Sequence, residues 1–210
     1  MIPYLEDVIK AFIFDLGGIV VPEKGDVIKE KVSNYLGITK PELIRLEGKL
    51  KLKVENGQIT LLEMYSRITR ELRKEINPKS VLQKHISLYK KTSTKRYPRV
   101  LDIIRKLKRE YKVVCLTNTE IEIADINRKN GLFNLFDKKY LSTEIGFSKP
   151  QLGAYKAVLN DLNLKPDEVV FIDDKQAYLE PAKKRGIKTI HYHGLKLLIE
   201  KLKKDNFIRA

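Results

Sequence analysis

Apolar residues follow two rhythms along this chain. One is short and continuous: Ala11-Phe12-Ile13-Phe14 runs without a polar interruption, stops at Asp15, and is followed by Gly17-Gly18 and Pro22. A run of that length with such boundaries predicts a strand buried on both faces, as in a parallel sheet. The pattern recurs over 112–116, which stops at Thr117-Asn118, and in Val169-Val170-Phe171-Ile172, which stops at the adjacent carboxylates Asp173 and Asp174.

The other rhythm has a helical period and fills most of the interval between the first two strands. After a lead-in over 1–9 and the first strand over 10–14, apolar positions such as Val27, Ile28, Val32, Tyr35 and Leu36 mark a helix that Gly37 stops. Thr39-Lys40-Pro41-Glu42 opens the next one, with Thr39 as cap, Pro41 in the first turn and Glu42 closing a capping box. That helix runs over 43–54 and is weakened at Gly48. Asn56-Gly57 signals a turn, 60–76 is helical until Pro78, and 80–90 is helical again. Residues 22–92 therefore read as an all-helical cap inserted directly after the first strand.

From Pro98 onward strands and helices alternate: helix 99–110, strand 112–116, helix 120–129, a short strand 140–143 and helix 151–162. Strand 169–172, helix 178–185, strand 188–191 and helix 195–204 follow. The predicted fold is α/β, a parallel sheet with helices on both faces, and ligands of such sheets bind beyond the carboxyl ends of the strands.

Composition changes this picture little. A length of 210 residues accommodates one sizeable α/β core and a small insert. No run approaches the ~18 apolar residues of a membrane span, and the N-terminus lacks signal-peptide features, so a cytoplasmic protein with no membrane partner is expected. The single Cys115 leaves no intramolecular disulfide and no multi-cysteine metal cluster. The net charge of +15, from 42 Lys and Arg against 27 Asp and Glu, favours anionic ligands and non-specific contact with nucleic acid. These charges are spread at helical spacings, as in 67–74 and 105–109, without an aromatic-interleaved basic stripe. Solvated faces therefore account for them better than a nucleic-acid surface. A Lys-, Glu- and Ile-rich composition with no Trp is a weak thermophile signature.

The chemistry gathers at the strand ends. A lone Asp15 closing a buried strand is costly unless something cationic pairs with it. If the ends converge, Asp15, Thr117-Asn118, Asp173-Asp174 and the helix-opening Ser148-Lys149-Pro150 supply three carboxylates, hydroxyls, an amide and an ammonium. That set suits a hard divalent cation and a phosphoryl group.

Phe-Asp-Leu-Gly-Gly-Ile-Val, Cys-Leu-Thr-Asn, Ser-Lys-Pro and Phe-Ile-Asp-Asp-Lys also stand in the order and rough spacing of four motifs. Together they resemble the haloacid dehalogenase-like hydrolase superfamily, over 10–191. The resemblance implies a Rossmann-like core formed by 1–21 and 93–210 with a helical cap over 22–92. It also implies Mg²⁺-dependent hydrolysis of a small anionic phosphorylated metabolite, such as a sugar phosphate, through an aspartyl-phosphate. Asp15 matches the nucleophile, Thr117 the hydroxyl that binds the phosphoryl group with Asn118 beside it, and Lys149 the lysine that offsets negative charge. Asp15, the backbone carbonyl of Gly17, Asp174 and Asp173 match the metal site.

Two departures follow from the same comparison. Relatives usually carry a second Asp two residues after the nucleophile, where this chain has Gly17, so weakened acid-base catalysis is expected. The alternative reading is a catalytically weak binding or regulatory protein on this fold. Tyr178 stands where relatives often carry Asn. Dehalogenation fits less well, because the acidic pair points to Mg²⁺. His191 and His193 share a strand face and read as surface or packing residues, His85 as a cap-helix residue, and Tyr65, Tyr89 and Tyr97 as core or substrate-facing aromatics.

Overall fold

The structure is a computed structural model and describes residues 9–23, 25–93 and 95–209. All of the expected lead-in except Ile9 lies outside the described residues. Five parallel strands form the sheet: β1 (Ala11–Phe14), β2 (Lys112–Thr117), β3 (Lys138–Leu141), β4 (Val169–Asp173) and β5 (Lys188–His191), in the order β3-β2-β1-β4-β5. Ile13 sits between Val114 and Phe171 in register, so β1 is central and both neighbours end beside it.

Alternation along the strands separates two apolar layers. Phe12, Phe14, Val113, Cys115 and Ile172 pack on α6 (Pro98–Leu107) and α11 (Leu195–Lys204) through residues such as Ile104 and Leu198. Ala11, Ile13, Val114 and Phe171 face the other way, onto α9 (Leu152–Leu162) and α10 (Gln176–Lys183). Polar residues cannot join either layer, so they collect at the carboxyl ends. The connections run to one side of β1 through β2 and β3, then to the other through β4 and β5. That reversal opens a crevice between the ends of β1 and β4.

The cap comprises α1 (Gly25–Leu36), α2 (Lys40–Gly48), α3 (Lys51–Glu55), α4 (Leu61–Glu71) and α5 (Pro78–Ser93). Its apolar centre, including Val32, Leu43, Tyr65 and Ile68, takes in Ile123 from α7 (Ile121–Lys129), a helix that follows β2. Thr60 caps α4 in a full capping box with Glu63. Polar links tie cap to core: Glu122 accepts from the Leu61 and Leu62 amides, Tyr89 pairs with Asn127, Asn56 donates to Gln151, and Asn118 donates to Glu55.

At three of the expected elements that differ, the cause is visible. The helix expected over 43–54 breaks into α2 and α3 just after Gly48. That expected over 60–76 ends at Glu71, because Arg73 takes φ 51° and Lys74 turns back to donate to the Leu36 and Gly37 carbonyls at the end of α1. The strand expected over 140–143 lies at Lys138–Leu141 instead. Ser142 opens the one-turn helix α8 (Ser142–Ile145), its hydroxyl accepting from the Thr119 amide.

Candidate active site

Lys149 is the hub of the crevice. Its side chain is fully buried, and its ammonium donates to Asp15 Oδ1 at 2.8 Å and to Asp173 Oδ2 at 2.6 Å. Burial alone would push its pKa down, but the two carboxylates outweigh burial and hold it above the usual lysine range. It also lies over the rings of Phe171 and Tyr178, 5.4 and 5.1 Å from their centroids. The backbone that delivers Lys149 is clamped by Asn118, whose Oδ1 accepts from the Lys149 amide and whose Nδ2 donates to the Lys149 carbonyl. Asn118 thus holds Lys149, while its Nδ2 also donates to Glu55 of the cap at 3.3 Å. Ser148 is bound to Gln151 through its amide and hydroxyl.

Asp15, Asp173 and Asp174 bring one carboxylate oxygen each within 4.8 Å of one another. Their oxygens are not equally committed. Asp173 is saturated, its Oδ2 taken by Lys149 and its Oδ1 by the Lys175 amide at 2.8 Å. Asp174 Oδ1 is buried and has no hydrogen-bond partner. Burial and the nearby Asp15 raise the Asp174 pKa, while burial, opposed by Lys149, raises that of Asp15. Like charges held this close with an orphaned oxygen are the environment a cation relieves. Gly18 makes the approach possible: it adopts φ 75°, and a Cβ there would lie 2.5 Å from Asp174 Oδ2.

A cavity of about 400 Å³ opens between these strand ends and the cap. Asp15, Gly17, Thr117, Asn118 and Lys149 line its floor. The Thr117 hydroxyl makes only a long 3.4 Å contact to the Asn118 carbonyl, so it is available to a ligand. The cap contributes Tyr65, which bonds His85 at 2.7 Å, and Tyr89, together with Glu47 and Glu55. Tyr97 lies elsewhere, in a shallow surface groove with Tyr192. His191 reaches the Asp174 backbone carbonyl at 3.0 Å through Nε2 and stacks near His193, behind the acidic end of β4.

Several cavity groups were not singled out from the sequence: Glu23, Lys175, Glu47, Glu55 and Glu120. Burial pushes Glu47 and Glu120 each up to about 7. An acid whose folded-state pKa is raised stabilises the fold while protonated. That stability is complete below about 4.5, declines through about 7 and is absent above it. Glu120→Gln is therefore expected to raise the melting temperature at pH 8 relative to the wild type and to leave it nearly unchanged at pH 4.5. Paired thermal scans at the two pH values check this.

The expectation of weakened acid-base chemistry at Gly17 is corrected by the acidic triad. The carboxylates of the site come from the ends of β1 and β4 as Asp15, Asp173 and Asp174, a set in which residue 17 has no part. Strand ends, rather than the turn, set the acidity of the crevice. The reading as a catalytically weak binding protein rested on the same deficit and falls with it.

A sequence profile of the haloacid dehalogenase-like hydrolases matches residues 13–192. The chain belongs to the haloacid dehalogenase-like hydrolases. Among proteins similar to this hydrolase, D-ribitol-5-phosphate phosphatase of Bacteroides thetaiotaomicron is 23% identical over 195 residues, covering 86% of this chain and 90% of that protein. Mouse bifunctional epoxide hydrolase 2 is 38% identical over 69 residues, a third of this chain (33%), and the match spans only 12% of that protein. A crystal structure of a HAD-family enzyme from Bacteroides thetaiotaomicron, in complex with magnesium and inorganic phosphate, superposes with a TM-score of 0.70 at 27% identity. It covers 87% of this chain and 93% of that one. No helix among the described residues is long and apolar enough to cross a membrane.

Proposed function

We propose that this hydrolase removes the phosphoryl group from small phosphorylated substrates with the help of Mg²⁺, using Asp15 as the nucleophile. The observation that carries the reading is the pairing of Asp15 with the buried Lys149 beside the partnerless Asp174 Oδ1. All-oxygen donors of this kind fit Mg²⁺. Asp15, Asp174 and the Gly17 carbonyl would hold it, with Asp173 behind them fixing Lys149. When bound, the ion neutralises the phosphoryl oxygens and aligns them for displacement.

The protein groups supply the rest. The Asp15 carboxylate attacks phosphorus and forms an aspartyl-phosphate, which water then cleaves. Lys149 offsets the charge that accumulates between Asp15 and the phosphoryl oxygens, and the Thr117 hydroxyl donates to one of those oxygens. The Asn118 clamp keeps Lys149 in place, and the cap over the cavity excludes bulk water. The D-ribitol-5-phosphate phosphatase and the HAD-family enzyme complexed with magnesium and phosphate support a small phosphorylated substrate and this cation.

Metal removal tests the proposal. Stripping divalent ions with EDTA is expected to reduce hydrolysis of p-nitrophenyl phosphate to background, and excess Mg²⁺ to restore it. Turnover that is indifferent to both treatments would contradict the reading.

A further inference from the structure

We propose that Glu23 is the catalytic residue that carries the proton, as donor to the leaving oxygen and then as base toward the attacking water. This rests on the phosphoryl-transfer reading above. An alkoxide or phenoxide leaves slowly unless a proton reaches it as the bond to phosphorus breaks. The groups at the floor of the crevice are poorly suited to that task. Asp173 has both oxygens taken, Lys149 is held between two carboxylates, and Asp174 belongs to the acidic cluster proposed to hold the cation.

Glu23 approaches from the opposite rim. After β1 the chain turns at Gly17-Gly18, where the Gly18 amide donates to the Val21 carbonyl at 2.8 Å and Gly17 bridges to Val21. The segment that follows folds back and carries Glu23 over the turn. A Cβ added at residue 17 would lie 3.1 Å from Glu23 Oε2 and 3.9 Å from Asp15 Oδ2. The space that a side chain at 17 would fill is therefore the space across which Glu23 faces the nucleophile, and glycine keeps it open.

Two contacts aim the carboxylate. Glu23 Oε1 accepts from the Gly25 amide at 3.0 Å in the first turn of α1, and Oε2 lies 3.6 Å from Lys175 Nζ. The side chain lines the cavity yet stays 51% exposed, so it is within reach of both a ligand in the cavity and solvent.

The proton balance closes. In the first step the bond from Asp15 oxygen to phosphorus forms and the bond to the leaving oxygen breaks. The leaving oxygen keeps the electron pair and takes the Glu23 proton. In the second step Glu23 removes a proton from water as the water oxygen attacks phosphorus. The bond to Asp15 then breaks, its electron pair returns to the carboxylate, and Glu23 is protonated again.

The test compares phenyl phosphate, whose leaving group needs a proton, with p-nitrophenyl phosphate, whose leaving group barely does, at saturating Mg²⁺. Glu23→Gln is expected to lower kcat/KM for phenyl phosphate by about 10²-fold and that for p-nitrophenyl phosphate only a few-fold. Equal losses on both esters, or none on either, would overturn the assignment, because binding or structural damage does not sort substrates by leaving group. Asp15→Asn run in parallel separates the two claims. Retained turnover by that variant defeats the nucleophile reading, whereas a flat leaving-group response of Glu23→Gln beside an inactive Asp15→Asn defeats only the role of Glu23.

Discussion

Asp15→Asn is expected to lower kcat/KM by roughly 10⁴-fold or more, the scale of removing a nucleophile that works as part of a unit, while leaving the melting temperature close to that of the wild type. The two effects part company because the position has two partners of unequal dependence. The carboxylate that forms the bond to phosphorus is lost, and an amide of the same shape cannot replace it. Lys149, however, keeps its 2.6 Å ion pair with Asp173 and is not left as an unpaired buried charge. Relief of crowding between Asp15 and Asp173, each of which faces Lys149, also works in favour of the folded state. Steady-state kinetics with p-nitrophenyl phosphate and a thermal scan of the same preparation check both parts.

Lys149→Met reverses that balance. Methionine fills much of the volume but removes the ammonium that two buried carboxylates share. Breaking a buried pair from one side costs about 3–5 kcal/mol, because the remaining charge is left without compensation. Turnover should fall with it, since among the described residues Lys149 is the side-chain cation paired with Asp15. The destabilisation has a direction in pH. With the lysine gone, nothing on that side opposes the burial that already raises the Asp15 carboxyl above its unfolded-state value, so the variant recovers stability as acid protonates it. Urea unfolding at pH 7.5 and pH 5 is expected to give a smaller difference from the wild type at the lower pH. A deficit that is equal at both values would mean that lost packing, rather than unpaired charge, dominates.

How much of this was legible in the sequence depended on whether a residue's role was local. The strands β1, β2 and β4 are buried on both faces, so their uninterrupted apolar runs name them, and the polar residues that end them mark where the sheet meets solvent. That is why Asp15, Thr117 and Asp173-Asp174 were readable as neighbours despite separations of more than a hundred residues. Lys149 could be recognised only by its Ser-Lys-Pro context, because among 42 basic residues one lysine carries no mark of burial.

Other features were not local. The early end of α4 depends on Lys74 reaching back to the carbonyls of Leu36 and Gly37, a contact between two cap helices that no sequence window contains. The strand β3 was displaced by two residues because Ser142 spends its hydroxyl on the Thr119 amide and begins a helix turn. Glu47, Glu55 and Glu120 carry no mark in the sequence, and it is the packing of the cap over the strand ends that makes them cavity walls. Gly17 was misjudged for a related reason. Its missing side chain looked like a deficit along the chain, whereas in space the carboxylates arrive from the ends of β1 and β4.

The central claim is that Asp15 becomes covalently phosphorylated during turnover, and trapping that intermediate tests it most directly. Enzyme mixed with a ³²P-labelled phosphomonoester and Mg²⁺, then quenched in acid within the first turnovers, is expected to retain label that hydroxylamine releases. Peptide mapping should assign that label to Asp15, and Asp15→Asn should retain none. Steady turnover with no hydroxylamine-labile label at any quench time, or label mapped to another residue, would contradict the account.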